Sequence, residues 1–360
     1  MQHVSSHQIL SRPGRVNPWV MLGISLILAV AAIALKSLTQ KQAPPAVTTG
    51  QTSAPAPSGA DDTQTLNAQQ RKEIEDALDA ASQYMNTDHL PEAETILKAL
   101  IAKYPDHPDV LRQMSGLHML FARTVPACEC FDHMLELHGG SAADYHHAGV
   151  LANMIGNLDL SRQRFETACR MNPSEPEHFK YLAMIEMKQY DYAAAKAHLV
   201  QAATMNDADE VIWGTLGEIA FLENHLDIGM QHTKKARALN PANLKWRLIE
   251  ARILRRQNKP DEAITLLSAL TKPDSVEQGV INEIALCWAM KGDPLHAAQI
   301  HIDYVNSNAR NRRVDSPLAA ARYLMQADDL GQARVWVQNA LNRDPTNEEA
   351  QNLLDQLNKQ

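Results

Sequence analysis

Four cysteines are the residues of this chain best suited to redox or metal chemistry: Cys128, Cys130, Cys169 and Cys287. The first two lie two positions apart on a predicted helix, where their side chains point in different directions. The other two have no partner at a spacing typical of zinc sites. We therefore expect buried, free thiols, with a disulfide as the weaker alternative. Free thiols are typical of a reducing compartment.

Four histidines surround one predicted turn, where a transition metal is conceivable: His133, His138, His146 and His147. Their spacing matches no zinc site, and the polar composition of a turn accounts for them. The chain also has no Gly-rich phosphate loop, no G-x-S-x-G elbow and no H-E-x-x-H helix. The sequence therefore predicts no catalytic residue, no cofactor and no metal, and hence a protein that is not an enzyme.

The elements that position these residues follow a 34-residue repeat. Turn residues recur at this spacing, at Pro105, Gly139, Pro173, Asp207 and Pro241. About twelve positions before each turn stands a small residue, in the series Ala93, Ala127, Ser161, Ala195, Gly229 and Ala263. Four positions after the small residues come Leu97, Phe131, Phe165, Leu199, Thr233 and Leu267. This pattern predicts amphipathic second helices that approach first helices closely, in units that must stack to bury their apolar faces.

The pattern resembles the tetratricopeptide repeat, whose signature is W-x2-L-G-x2-Y, then A-x3-F, then P within 34 residues. The best single match is Trp213-x-x-Leu216-Gly217. In that repeat the family's Tyr, Ala and Phe are replaced by Ala220, Gly229 and Thr233, before Pro241 closes the unit. Other repeats supply the missing types, with Tyr84 at the Tyr position, Tyr145 and Phe179 at the Trp position and Gly149 at the Gly position.

Eight repeats are predicted between residues 74 and 345, followed by a C-terminal capping helix over 346–360. Toward the C-terminus the register is predicted to slip, because Pro273 comes two positions early and Ala298 follows Ala263 by one residue more than the repeat length. The resemblance implies an all-α, right-handed superhelical solenoid that binds proteins in a concave groove lined by its first helices.

The resemblance also places one residue of each first helix in that groove, one position past the family's Tyr. These residues are Met85, Met119, Asn153, Met187, Phe221, Arg255, Met290 and Met325. Because methionine predominates and its flexible thioether adapts to varied apolar partners, the row is a hypothetical peptide-binding groove. The alternative is that this position packs between adjacent helices, where methionine is a filler.

A basic island occupies the sixth predicted repeat, with Lys245, Arg247, Arg252, Arg255, Arg256 and Lys259. Three of its four arginines, Arg252, Arg255 and Arg256, are candidates to hold a carboxylate or another anion of a partner. The alternative is that they pair with Glu218 and Glu283 on the flanking repeats.

The N-terminal segment differs in composition from the repeats. Residues 18–35 carry no charged side chain, and as a helix they span about 27 Å, near the thickness of a bilayer core. We interpret them as a transmembrane anchor after a short cytoplasmic segment, 1–17, with a cleaved signal peptide as the alternative. A flexible linker over 36–66, rich in Pro, Ala, Thr and Ser, would join the anchor to a solenoid over 67–345. This organisation predicts a single-pass inner-membrane protein with its repeats outside, although the positive-inside count does not decide the orientation.

The charge distribution argues against a nucleic-acid partner. The first sixty residues hold four of the 34 basic side chains and none of the 42 acidic ones, so the repeats are more acidic than the whole-chain net charge of −8 implies. No broad basic face is left for phosphates. We therefore predict a non-catalytic, membrane-tethered scaffold that binds a protein or peptide partner during envelope assembly, secretion or maturation. The alternative is an accessory subunit that holds an envelope enzyme or its glycan or polymer substrate, and self-association of the repeats stays open.

Overall fold

The computed structural model describes residues 66–268, 277–308 and 313–359, and the ordered elements in these ranges are all helices. The chain divides into two units after Tyr190. The prediction of an all-α helical repeat array is confirmed for the described residues, whereas its right-handed superhelical course stays a prediction.

Unit 1 alternates first and second helices. The first helices are α1 (Ala68–Asn86), α3 (Pro108–Leu120), α5 (Ala142–Met154) and α7 (Pro176–Lys188). The second helices between them are α2 (Leu90–Lys103), α4 (Thr124–His138) and α6 (Leu158–Met171). Each second helix packs on the first helix before it and on the first helix after it. The apolar core is therefore continuous along the unit, as stacking requires.

Unit 2 continues the alternation from a second helix, α8 (Tyr192–Met205). Its first helices are α9 (Glu210–Leu222), α11 (Leu244–Arg256), α13 (Gln278–Met290) and α15 (Asp315–Gln326). Its remaining helices are α10 (Leu226–Leu239), α12 (Pro260–Ser268), α14 (Pro294–Ser307), α16 (Leu330–Arg343) and α17 (Glu348–Lys359). Helix α17 lies in the segment predicted to cap the array and packs its buried leucines on α16.

One left-handed residue ends each first helix and sets the register of the array. These residues are Asp88, Ala122, Gly156, Tyr190, Asn224, Asn258, Gly292 and Asp328, with φ between 56° and 82°. The 34-residue spacing holds from the first to Gly292, and the last follows two positions late. The predicted slip therefore begins one repeat later than expected. The slip was predicted too early because α14 contains two adjacent buried alanines, Ala297 and Ala298. Ala297, which follows Ala263 by one repeat length, is its counterpart, whereas the prediction used Ala298.

The recurring small residues of the second helices are buried. Five of the six are fully buried, namely Ala93, Ala127, Ser161, Ala195 and Ala263. The sixth, Gly229, faces Gly217, and a Cβ on either glycine would lie 3.2 Å from the carbonyl oxygen of the other. A side chain at either position would thus force α9 and α10 apart.

Candidate functional site

The predicted groove row of unit 1 divides into packed and accessible residues. Met119 is buried in the core that α3, α4 and α5 share. Met85 packs against the core of α1 to α3, with its Cε 3.7 Å from the Cβ position of Gly116. Both act as packing between helices, whereas Asn153 and Met187 are half-buried at the ends of α5 and α7.

Helices α5 and α7 carry three exposed or half-buried methionines, which we call the methionine patch: Met154, Met184 and Met187. Met154 is 39% and Met184 38% exposed. Lys188 Nζ donates a hydrogen bond to Asn153 Oδ1 at 2.7 Å, which holds the ends of the two helices together. Sequence reasoning missed Met154 and Met184 because it followed a single position per repeat, although both lie within three residues of that row.

In unit 2 the predicted row is less uniform. Phe221 and Met325 are half-buried and pack against the neighbouring cores. The guanidinium of Arg256 covers Phe221, with its carbon 4.1 Å from the ring centre, and Nη1 donates to the Phe221 carbonyl at 2.9 Å. Met290 lies two residues before its left-handed residue, Gly292, whereas Phe221 lies three residues before its own, Asn224. Met290 therefore occupies the same place in its repeat as the exposed Leu222. Ala289 occupies the place in the groove row that was predicted for Met290.

The basic island is organised around one buried carboxylate. Arg255 Nε donates to Glu283 Oε1, and Arg252 Nε lies 3.7 Å from Glu283 Oε2. At the start of the same helix, α11, Lys245 Nζ lies 2.8 Å from Glu218 Oε2 of the preceding first helix, α9. Arg252 and Arg255 thus contact Glu283, one of the two glutamates named as alternative partners, whereas the other, Glu218, pairs with Lys245. Because two guanidiniums share one carboxylate, a positive charge remains on Arg252, whose side chain is 40% exposed.

We expect Glu283→Gln to lower the free energy of unfolding of unit 2 by about 1–3 kcal/mol, since it removes the buried charge that both arginines contact. Urea denaturation followed by circular dichroism measures this change. Glu262→Gln is the matched control, because Glu262 is exposed and pairs only loosely with Lys259, at 3.8 Å. Equal losses in the two variants would contradict an organising role for Glu283.

A buried histidine pair lies in unit 1, and sequence reasoning did not anticipate it. The Nδ1 atoms of His146 on α5 and His178 on α7 lie 2.9 Å apart, so one ring donates and the other accepts. His146 also meets Phe165 and Tyr181 edge-on, at 5.1 and 4.9 Å between ring centres. Burial lowers the pKa of His146 to about 3 and moves that of His178 in the same direction. Both rings are therefore neutral at physiological pH.

Two of the other grouped histidines share one partner residue, Asp106. His133 Nε2 lies 2.9 Å from a carboxylate oxygen of Asp106, and His138 Nε2 lies 2.6 Å from the carbonyl oxygen of the same residue. The ring of His147 packs on Phe131 at 4.7 Å between centres. Among the residues that the structure describes, no group of three or more His, Cys, Asp or Glu side chains is arranged to hold a metal ion.

The four cysteines are free thiols, of which Cys130 is half-buried and the other three are buried. Burial raises the pKa of Cys128 and Cys287 to about 11 and that of Cys169 to about 12. These thiols stay protonated near neutral pH, and a protonated thiol is a poor nucleophile and metal ligand.

The predicted membrane location is contradicted. Within the described ranges, every helix is too short or too polar to cross a bilayer. On this finding the prediction of a single-pass inner-membrane protein with its repeats outside is wrong. The segment 18–35, predicted as the anchor, lies outside the described residues.

Comparison with known proteins identifies the fold. The sequence matches no protein-family model and no curated protein. The structure is similar to that of the APC/C hetero-tetramer Cut9–Hcn1, at 12% identity over 82% of this chain and 58% of that one, with a TM-score of 0.50. It is also similar to yeast Tom70, at 13% identity over 76% and 58%, again with a TM-score of 0.50. The chain thus spans 58% of the length of each of these helical repeat proteins.

Proposed function

Because this chain has the tetratricopeptide-type repeat fold, we propose that it is a non-catalytic scaffold that binds a partner protein or peptide on the exposed faces of its first helices. The methionine patch is the observation that carries the proposal. Three thioether side chains lie there, exposed or half-buried, on two successive first helices. Thioethers adapt their shape to varied apolar partners.

Unit 2 supports the proposal with apolar side chains on its own first helices. Leu222, Leu286 and Met290 are all more than 40% exposed. Each lies within the last five residues of its helix. A partner segment that crosses these helices would bury all three side chains and gain about 25 cal/mol for each Å² of apolar surface removed from water.

The titratable side chains support a non-catalytic role. A general acid or base must reach its substrate and have a pKa near the working pH. His146 and His301 are buried, and burial lowers their pKa to about 3 and about 4. Burial raises the pKa of the buried thiols, which keeps them protonated rather than in the reactive thiolate form.

We expect the double substitution Met184→Glu and Met187→Glu to reduce partner capture at least tenfold, because two carboxylates would have to be desolvated against an apolar partner. A photo-crosslinking amino acid at Met154 in the full-length chain, expressed in its own cells, reports the capture. Val125→Glu is the matched control, since Val125 is 55% exposed but lies on second helix α4. Circular dichroism checks that the variants keep their helices, and equal crosslinking in all of them would contradict the proposal.

A further inference from the structure

The methionines of unit 1 differ sharply in their access to solvent. In the methionine patch, Met154 and Met184 are exposed and Met187 is half-buried. Other methionines of the unit are fully or almost fully buried in its core, namely Met114, Met119 and Met134. A small dissolved oxidant therefore meets the thioethers of the patch far more often than those of the core.

One hydrogen bond ties together the two helix ends that carry the patch. Lys188 Nζ of α7 donates to Asn153 Oδ1 of α5 at 2.7 Å. Lys188 directly follows Met187, and Asn153 directly precedes Met154. Met184 and Met187 lie three residues apart on α7, so their side chains are neighbours on the helix surface. A change of polarity at these thioethers alters the surface that we propose for the partner.

The thiols of the chain are poorly suited to react with the same oxidant. Peroxides oxidise the thiolate form of cysteine. Burial raises the pKa of Cys128 and Cys287 to about 11 and that of Cys169 to about 12. It raises the pKa of the half-buried Cys130 as well. Little thiolate is therefore present near neutral pH.

The oxidation of a thioether needs no ionised sulfur. A lone pair of the methionine sulfur attacks one oxygen of hydrogen peroxide, so an S–O bond forms while the O–O bond breaks. The departing hydroxide takes up the proton of the transferred oxygen and leaves as water. The sulfur loses two electrons to the peroxide and becomes a sulfoxide, which is polar. Exposure, and not a pKa, therefore decides which methionines react.

We propose that Met154 and Met184 are oxidation sites for hydroperoxides, and that their sulfoxides release the partner of the methionine patch. This inference rests on the proposed function, to which it adds a form of regulation. A sulfoxide oxygen is a hydrogen-bond acceptor, and an apolar partner would remove its water without replacing the hydrogen bond. Because Met119 and the other core methionines are shielded, the oxidation changes the surface and leaves the core of the unit intact.

Peptide mapping by mass spectrometry tests the sites in the full-length protein, treated with hydrogen peroxide at pH 7.5. We expect sulfoxide to form at Met154 and Met184 at least fivefold faster than at Met114 and Met119, while Cys169 stays reduced. Equal rates at exposed and buried methionines would overturn the proposal. Oxidation of Cys169 before Met184 would overturn it as well.

Photo-crosslinking in the protein's own cells tests the release, with the probe at Met187. Peroxide should reduce partner capture at least fivefold. The double variant Met154→Leu with Met184→Leu should keep its capture, because leucine is apolar and has no sulfur to oxidise. The matched control is Met171→Leu with Met290→Leu, which removes two exposed methionines outside the patch and should give no protection. The same loss of capture in both double variants would contradict the release.

A repair step distinguishes thioether from thiol oxidation. In a lysate of the treated cells, added methionine sulfoxide reductases should restore capture, whereas dithiothreitol alone should not. Recovery with dithiothreitol alone would assign the loss to thiols and overturn the proposal.

The untreated cells separate this inference from the proposed function. If the untreated protein captures a partner and peroxide does not change the capture, only the oxidation inference fails. If the untreated protein captures nothing, the scaffold proposal and the release fail together, and the peptide mapping alone supports or overturns the two oxidation sites.

Discussion

Trp246→Ala will lower the free energy of unfolding of unit 2 by about 3–5 kcal/mol, the range for removing a large aromatic side chain from a core. Trp246 is the largest fully buried side chain among the described residues. Its indole ring lies against Gly214 of the preceding first helix so closely that a Cβ on that glycine would collide with it. The two residues therefore join one repeat to the next, and the cavity left by alanine lies in that contact.

Trp213→Ala is the control for this prediction, because Trp213 is half-buried and is held by an indole hydrogen bond to the Asp207 carbonyl at 2.8 Å. Its loss should be clearly smaller in urea denaturation. Gly214→Ala should also destabilise unit 2. In the double variant with Trp246→Phe, the smaller ring should reduce the loss of stability that the added methyl group causes. Equal losses of stability in Trp213→Ala and Trp246→Ala would contradict the importance of the Trp246–Gly214 contact. Additive effects of Gly214→Ala and Trp246→Phe in the double variant would contradict it as well.

Acidification from pH 7.5 to 4.5 will destabilise unit 1 by several kcal/mol. His146 has a pKa of about 3 in the folded state, against about 6.5 in an unfolded chain. The stability it contributes is fully present above pH 6.5 and is lost as the pH falls toward 3, since only the unfolded state takes up the proton. At about 1.4 kcal/mol per pH unit, two units below 6.5 correspond to about 3 kcal/mol from His146 alone. His178 shifts in the same direction and adds to this loss.

Replacement of both rings, His146→Phe with His178→Phe, should remove the part of this pH dependence that the pair contributes while preserving the aromatic contacts to Phe165 and Tyr181. The neighbouring His147, whose pKa burial lowers to about 4, keeps its own contribution. Hydrogen exchange at pH 7.5, 6 and 4.5 resolves the effect in α5 and α7. His133→Gln is the control, because the His133 side chain is 48% exposed and lies outside the buried pair. An unchanged acid response in the double phenylalanine variant would show that the pair is not its source.

The repeat fold could be predicted from the sequence because its signal is local and periodic. Small residues such as Ala93 and Ala127 mark every close helix approach, and the turn residues fix the length of the unit. The contact of Trp246 with Gly214 could not be predicted in this way. The family signature places its aromatic residue one position later, where this chain has Arg247, and only the packing of one repeat on the next shows which side chain fills the space.

The candidate site was predictable only as a row of positions. Met119 and Met187 occupy the same place in their repeats, yet the former is buried and the latter half-buried. The difference depends on which side chains the neighbouring helices supply, and a single-repeat pattern does not contain that information. The contact of Arg255 with Glu283 lies within reach of the sequence, because opposite charges on neighbouring first helices are visible there.

Site-specific photo-crosslinking of the full-length chain in its own cells tests the central claim most directly, with the probe placed at Met184 in one protein and at Val125 in another. Both positions are exposed on unit 1, but the first lies in the methionine patch and the second on a second helix. We predict a discrete adduct with another protein from Met184 that Val125 does not give. The same adducts from both positions, or none from Met184, would contradict a binding surface on the first helices.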